Sequence, residues 1–417
     1  MENQEIKKTN FKQNKKTLNF YCIFIEIILF ALIAVEVFLG GSYLDEIVGL
    51  LSMFYLIFVR RNLQRIDVIT LIILFITVGI GIASNLVSGL NNDWFSILVD
   101  FNSETKLLFT FLAVKYILNN KEKQRIINSL TPFAKLYTLA AFFCSIISLF
   151  KDIGMSGNER YGIRSFKFIF NLEMQYIAIY MLVFAVLIFS NKISYTNKLF
   201  YCAIAIFSML LSTKSPAIIF TIIFIGLTFY FKKHAKLNIW VILIGIAIIA
   251  IAGRYQIESY ILKEGVARRL FIQYSFKTAN DYFPLGSGFA TYGSAEAAVH
   301  YSPLYYLYGF NKVAGLTPDK PSFSSDTFWA MALGQFGWIG GILYFSVYIL
   351  TFISMAKVKM PASKKAFIYA IYIQHLINGL GTAVLSSASG MIAFIGIALV
   401  SELDESKTTG KRLNIHI

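Results

Sequence analysis

Apolar residues fall along this chain in long blocks, with the polar residues bunched between them. Blocks of mostly apolar residues occur at 18–39, 42–59, 67–89, 96–118, 132–150, 169–190, 197–212, 216–232, 236–252, 327–356, 365–384 and 387–402. A helix needs roughly 20 such residues to cross a bilayer. The pattern predicts an all-α, polytopic integral membrane protein with about twelve transmembrane helices. The fourth block is the weakest, because Asp100, Glu104 and Lys106 interrupt it. The seventh is short.

The polar stretches predict an orientation. Basic segments occur in the N-terminal tail "KKTNFKQNKK", in "RRNLQR", in "NNKEKQR", in "KKHAK" and in "KVKMPASKK". They follow alternate spans, so they share one face, which the excess of Lys and Arg in short loops marks as cytoplasmic. An even number of spans then places both termini in the cytoplasm. Two longer polar stretches are left on the outer face, at 151–168 and 253–326. The second is a large extracytoplasmic loop within what reads as a single transmembrane domain, 1–417. Long loops are exempt from the positive-inside bias. The cations Arg160 and Arg164 in one loop, and Arg268 and Arg269 in the other, therefore ask for an anionic ligand. The polar tail "ELDESKTTGKRLNIHI" reads as mobile.

Composition supports a bilayer protein. Of 417 residues, 57% are hydrophobic and 15% charged, against about 25% charged in a soluble domain. The net charge of +15 would suggest nucleic acid in a soluble chain, but these cations cluster between apolar blocks. Cys22, Cys144 and Cys202 all lie inside such blocks, with no metal-ligand or disulfide spacing.

Candidate chemistry concentrates in the second outer loop. "RRLFIQYSFKTANDYFPLGSGFATYG" sets two arginines before a Pro-Leu-Gly-Ser-Gly turn. Glycines there let backbone approach a ligand, and arginine's planar fork suits phosphate. "HYSPLYYLYGFNK" offers His300, which titrates near neutral pH, and tyrosines, Tyr301 among them, which suit sugar faces or a membrane interface. "FSSDTFWAMALGQFGWIG" sets Asp326 at the mouth of an apolar helix, as general base or as helix cap. Lys214 sits between the seventh and eighth spans at the outer surface, with lipid-headgroup snorkelling as its plainest role. Glu26 and His375 look deep within spans.

These residues resemble the bacterial O-antigen ligase/polymerase superfamily of Wzy-type polymerases and WaaL-type ligases. In that family an arginine, often followed by leucine, precedes a Pro-Leu-x-Gly-x-Gly run, as Arg269-Leu270 here precedes Pro284-Leu285-Gly286-Ser287-Gly288. A family histidine lies eleven residues before a Gly-x-Ile-Gly; Gly337-Trp338-Ile339-Gly340 places Asp326 at that position. Thr213-Lys214 stands where the family has a Ser-Arg turn, and Arg160 or Arg164 with Asn171 resembles its outer-loop arginine. The resemblance implies a glycosyltransferase of the bacterial plasma membrane with an extracytoplasmic site. It would join oligosaccharide repeat units carried on undecaprenyl pyrophosphate, for capsule or O-antigen, without metal or nucleotide-sugar cofactor. Its partners would be that lipid-linked oligosaccharide, membrane lipid, a flippase and a chain-length regulator, and no nucleic acid. Arg269, Arg160, Arg164 and Lys214 would face the pyrophosphate, with Asp326, or failing it His300, taking the acceptor's proton. A WaaL-like glycan ligase and a transporter or flippase of lipid-linked oligosaccharides are the alternatives.

Overall fold

A computed structural model describes residues 2–39, 43–58, 63–238 and 265–403, with isolated positions between 239 and 264. The apolar blocks in these segments are helical. In chain order they are α1 (Glu2–Phe38), α2 (Leu44–Phe58), α3 (Arg65–Ser88) and α4 (Trp94–Ile117), then α5 (Asn120–Ser129) and α6 (Thr131–Phe150). There follow α7 (Glu173–Phe189), α8 (Tyr195–Leu210), α9 (Ser215–Lys233), α10 (Ala267–Asp281), α11 (Ala295–Val299) and α12 (Pro303–Leu307). The last three are α13 (Phe328–Lys357), α14 (Ala362–Asn378) and α15 (Ala388–Val400). The expected span at 236–252, the start of the long loop at 253 and the tail from 404 lie largely outside the described residues.

Among the described residues, five helical segments are long and apolar enough to cross a membrane: Phe20–Phe38, Arg65–Ser88, Thr131–Phe150, Ser215–Lys233 and Phe328–Lys357. The chain is thus a mostly helical membrane protein. Helices α7 and α15 are as apolar but shorter. In α7 nearly every residue from Glu173 to Phe189 is buried, as expected for a helix that is apolar all round.

One departure from an all-helical chain lies between α6 and α7. Ser156–Arg160 (β1) and Ile163–Phe166 (β2) pair antiparallel as a two-stranded hairpin. The turn uses Tyr161 and Gly162, both at positive φ (54° and 73°), the backbone signature that matches a tight hairpin to strand twist.

The chain divides into two compact units. One comprises Met1–Arg61, Phe109–Ile218 and Met391–Ile417; the other comprises Asn62–Leu108 and Ile219–Gly390. In the first, α6, α7 and α8 pack on one another, and α5 packs under α1 and α7. In the second, α13 packs along α3 and α10. On α3, Thr70 and Thr77 return their hydroxyls to the carbonyls of Ile66 and Ile73, so these buried polar groups keep partners in an apolar setting. Helix α13 is broken at Gly337, where φ is 62° and ψ is −162°.

Candidate functional site

The break at Gly337 receives the Pro-Leu-Gly-Ser-Gly segment. Residues 286–293 are all buried. Gly286 (φ 89°) is so close to α13 that an added Cβ would lie 2.2 Å from Gly337 N, and one at Gly288 (φ 96°) would lie 2.6 Å from Asn85. The glycines thus serve an approach of backbone to backbone, where the sequence suggested an approach to a ligand. Polar groups of α3, α4 and α13 hold the segment. Ser84 Oγ donates to Leu285 O at 2.6 Å and Ser88 Oγ to Ser287 O at 2.7 Å. Asn85 accepts from Phe289 N at 2.7 Å and donates to its carbonyl at 2.8 Å. Ser287 N and Gly288 N donate to Gly334 O and Gln335 O, at 3.0 and 2.9 Å. Asp100 accepts from Ala290 N and from Gln335 Nε2. One turn further along α4, Glu104 is buried, and neither carboxylate oxygen has a hydrogen-bond partner among the described residues.

The rest of the large loop folds into a small aromatic core. Phe271, Tyr292, Leu304, Tyr305, Tyr308, Phe310 and Leu316 are buried together. Tyr292, Tyr305 and Tyr308 are therefore core residues and not a sugar platform. Tyr301 packs edge-on against Tyr305 and Tyr306, and its hydroxyl donates to Leu316 O at 2.7 Å. His300 lies 3.6 Å from Glu296 and 3.9 Å from Asp93. No hydrogen bond or ion pair joins it to Asp326 among the described residues.

Asp326 does not cap α13. Thr327 is the N-cap residue, without a side-chain cap bond. The first N–H groups of the helix, those of Phe328 and Trp329, reach Gly379 O at the end of α14, at 3.0 and 3.4 Å. The Asp326 carboxylate turns instead to Arg268, in the first turn of α10, at 3.0 Å. The two side chains are about a quarter exposed (26% and 24%). Burial raises the proton affinity of Asp326 above the ordinary carboxylate value, and this outweighs the opposing pull of Arg268. Ser324 Oγ and Thr327 Oγ1, on either side of Asp326 in sequence, are buried with no hydrogen-bond partner among the described residues. Orphaned buried hydroxyls are rare in folded proteins and mark places where a further polar group belongs. Arg269, the next residue of α10, is half-buried. Two guanidinium groups at the positive end of a helix dipole make a local field that favours anions.

The remaining candidates belong to the other unit. Lys214 lies 3.3 Å from Glu173, both mostly buried. Arg164 pairs across the hairpin with Glu159 and Arg160 with Ile163. Neighbouring cross-strand pairs point to opposite faces, so the two arginines do not share one. Arg164 Nη1 is buried with no hydrogen-bond partner among the described residues.

Asn85, Gln335 and the hydroxyls of Ser84 and Ser88 had no signal in the sequence. Asp100 had one, as a charge inside an apolar block. Comparison with known proteins finds no family model and no curated protein that match the chain.

Proposed function

We propose that the chain is a membrane glycosyltransferase that joins oligosaccharides carried on a lipid pyrophosphate, with its chemistry at Asp326. The observation that carries this reading is the half-buried Asp326–Arg268 pair, flanked by two hydroxyls with no hydrogen-bond partner among the described residues, at the entrance of a membrane helix. In the proposed step an acceptor sugar hydroxyl attacks the anomeric carbon of the donor. Its proton passes to the Asp326 carboxylate. The bond from that carbon to the lipid pyrophosphate breaks, and the electron pair leaves with the phosphate oxygen. A carboxylate of raised proton affinity suits general-base work. Arg268 and Arg269, with the N-terminus of α10, meet the charge that grows on the leaving group, the usual source of the largest rate gain. No step requires a metal. Ser324 and Thr327 supply hydroxyls to orient the acceptor. Polymerisation of repeat units is the form of the reaction favoured here, with transfer to a different acceptor glycan as its ligase variant.

One observation favours a second reading, transport of the same lipid-linked sugars. A helix broken beside buried carboxylates, as α13 is at Gly337 near Asp100 and Glu104, is a feature of carriers. Deleting the gene in its native host separates the two. Loss of glycan joining leaves single repeat units on the lipid carrier at the outer surface. Loss of transport leaves them at the inner surface. Full-length glycan in the deletion strain refutes both.

A further inference from the structure

The face of the first unit that carries α5 holds an open cavity of about 470 Å³, lined by Lys121, Gln124, Arg125, Asn128, Ser129 and Lys192. We propose that this cavity binds a phosphate-bearing group. The inference is independent of the glycosyltransferase reading, since none of these residues belongs to that site.

The cavity is built by two separate stretches of chain. Helix α5 buries Glu122, Lys123, Ile126 and Ile127 on one side, which leaves Lys121, Arg125 and Asn128, spaced i, i+4 and i+7, along the other. A capping box fixes where it starts: Asn119 accepts from Glu122 N while the Glu122 carboxylate takes Asn119 N. The turn after α7 brings Lys192 in from the second stretch. Polar bonds hold the two stretches in register. Gln124 Nε2 donates to Phe189 O at 2.9 Å, Asn191 N donates to Asn128 Oδ1 at 2.9 Å, and Thr131 and Ser190 share a hydroxyl bond at 2.6 Å.

Donors dominate the lining. Three of its six residues are cationic and none is acidic. Asn128 Oδ1 accepts from Asn191 N, Ser190 Oγ and Gln124 Nε2, so its amide hydrogens remain to be offered. Ser129 Oγ is already engaged, donating to the carboxylate of Glu26. Orientation by positive charge accounts for lysines and arginines anywhere in a short loop. It does not account for two stretches pinned around one cavity with their cations turned to it. Cations and amide donors converging on a polar hollow suit a tetrahedral oxyanion. At the end of a membrane helix, that anion has two sources: the phosphodiester of an anionic lipid, or a soluble phosphate.

The test uses the full chain, purified and placed in nanodiscs. One arm varies phosphatidylglycerol in phosphatidylcholine discs and reads retained lipid by native mass spectrometry. The other adds inorganic phosphate or pyrophosphate to pure phosphatidylcholine discs and reads the thermal midpoint. The variant Lys121→Gln/Arg125→Gln/Lys192→Gln is compared with Lys233→Gln/Lys236→Gln/Lys359→Gln, which loses equal charge from exposed positions elsewhere. One arm should show binding that the first variant weakens by about tenfold or more and the second leaves nearly intact. A response in the lipid arm assigns a headgroup, and a response in the soluble arm assigns free phosphate. Equal losses in both variants, or no binding in either arm, overturn the proposal. Should the triple variant fold poorly, Lys192→Gln alone, in an exposed turn, must still weaken binding.

Discussion

Replacing Asp326 by Asn separates chemistry from structure at this site. The N-terminal N–H groups of α13 are held by Gly379 O, so the helix keeps its cap in the variant. What is lost is the charge that faces Arg268 at 3.0 Å. The amide oxygen still accepts from the guanidinium, so the loss is the difference between a charge-assisted and an ordinary hydrogen bond, about 1 kcal/mol. Stability should therefore change little. Removing a general base costs on the order of 10²–10⁴-fold in rate, which is about 2.7–5.4 kcal/mol of barrier. The assay is release of lipid pyrophosphate by the chain in proteoliposomes, with a thermal midpoint measured on the same preparation. A pH series adds a second readout. Burial raises the affinity of Asp326 for its proton above the ordinary carboxylate value of 3.8. The base form, and with it the wild-type rate, should grow as pH rises through that elevated value. Stability runs the other way: a carboxyl whose proton is held more tightly in the folded state contributes stability at low pH, which is lost as pH rises through the folded value. Arg268→Ala removes the opposing cation and should move the acid limb of the rate to higher pH. Wild-type turnover in Asp326→Asn, with an unchanged acid limb, would refute the reasoning and leave Asp326 as a structural partner of Arg268.

Gly286→Ala should destabilise the chain by about 3 kcal/mol or more, since the new Cβ meets backbone at a positive φ; loss of the monodisperse peak in size-exclusion chromatography reads it. Asp100→Ala orphans Ala290 N–H and one of the two N–H groups of the Gln335 amide, the other being kept by Tyr292 O, at about 2–5 kcal/mol, seen as a lower thermal midpoint; an unchanged midpoint would show that the buried segment does not depend on α4. His300→Gln should leave turnover near wild type, because its neighbours are Glu296 and Asp93; a large loss would return the proton-transfer role to His300.

The apolar blocks were legible because bilayer length and hydropathy are local properties. Asp100 stood out for the same reason, as a charge where lipid forbids one, but its partners Ala290 and Gln335 lie 190 and 235 residues away, beyond any local pattern. Glycine spacing located the 284–288 segment and left open what approaches it; the answer, Gly337 and Asn85, depends on how α3 and α13 meet. The tyrosines of 301–308 looked like surface residues because they sit in a polar stretch, yet Tyr305 and Tyr308 are core. Helix spacing sets Arg268 and Arg269 about 100° apart, and only the docking of α10 on α13 decides that Arg268 is the one that meets Asp326. The hairpin at Tyr161-Gly162 was missed because its strands are short and mixed in character.

Incubating the purified chain in proteoliposomes with one defined lipid-pyrophosphate-linked oligosaccharide, and reading the glycans by mass spectrometry, tests the central proposal most directly. The account predicts products that grow by whole repeat units, one free lipid pyrophosphate for each bond made, and no products from Asp326→Asn. Intact substrate after incubation with a well-folded wild-type chain, or products made equally by Asp326→Asn, would contradict it.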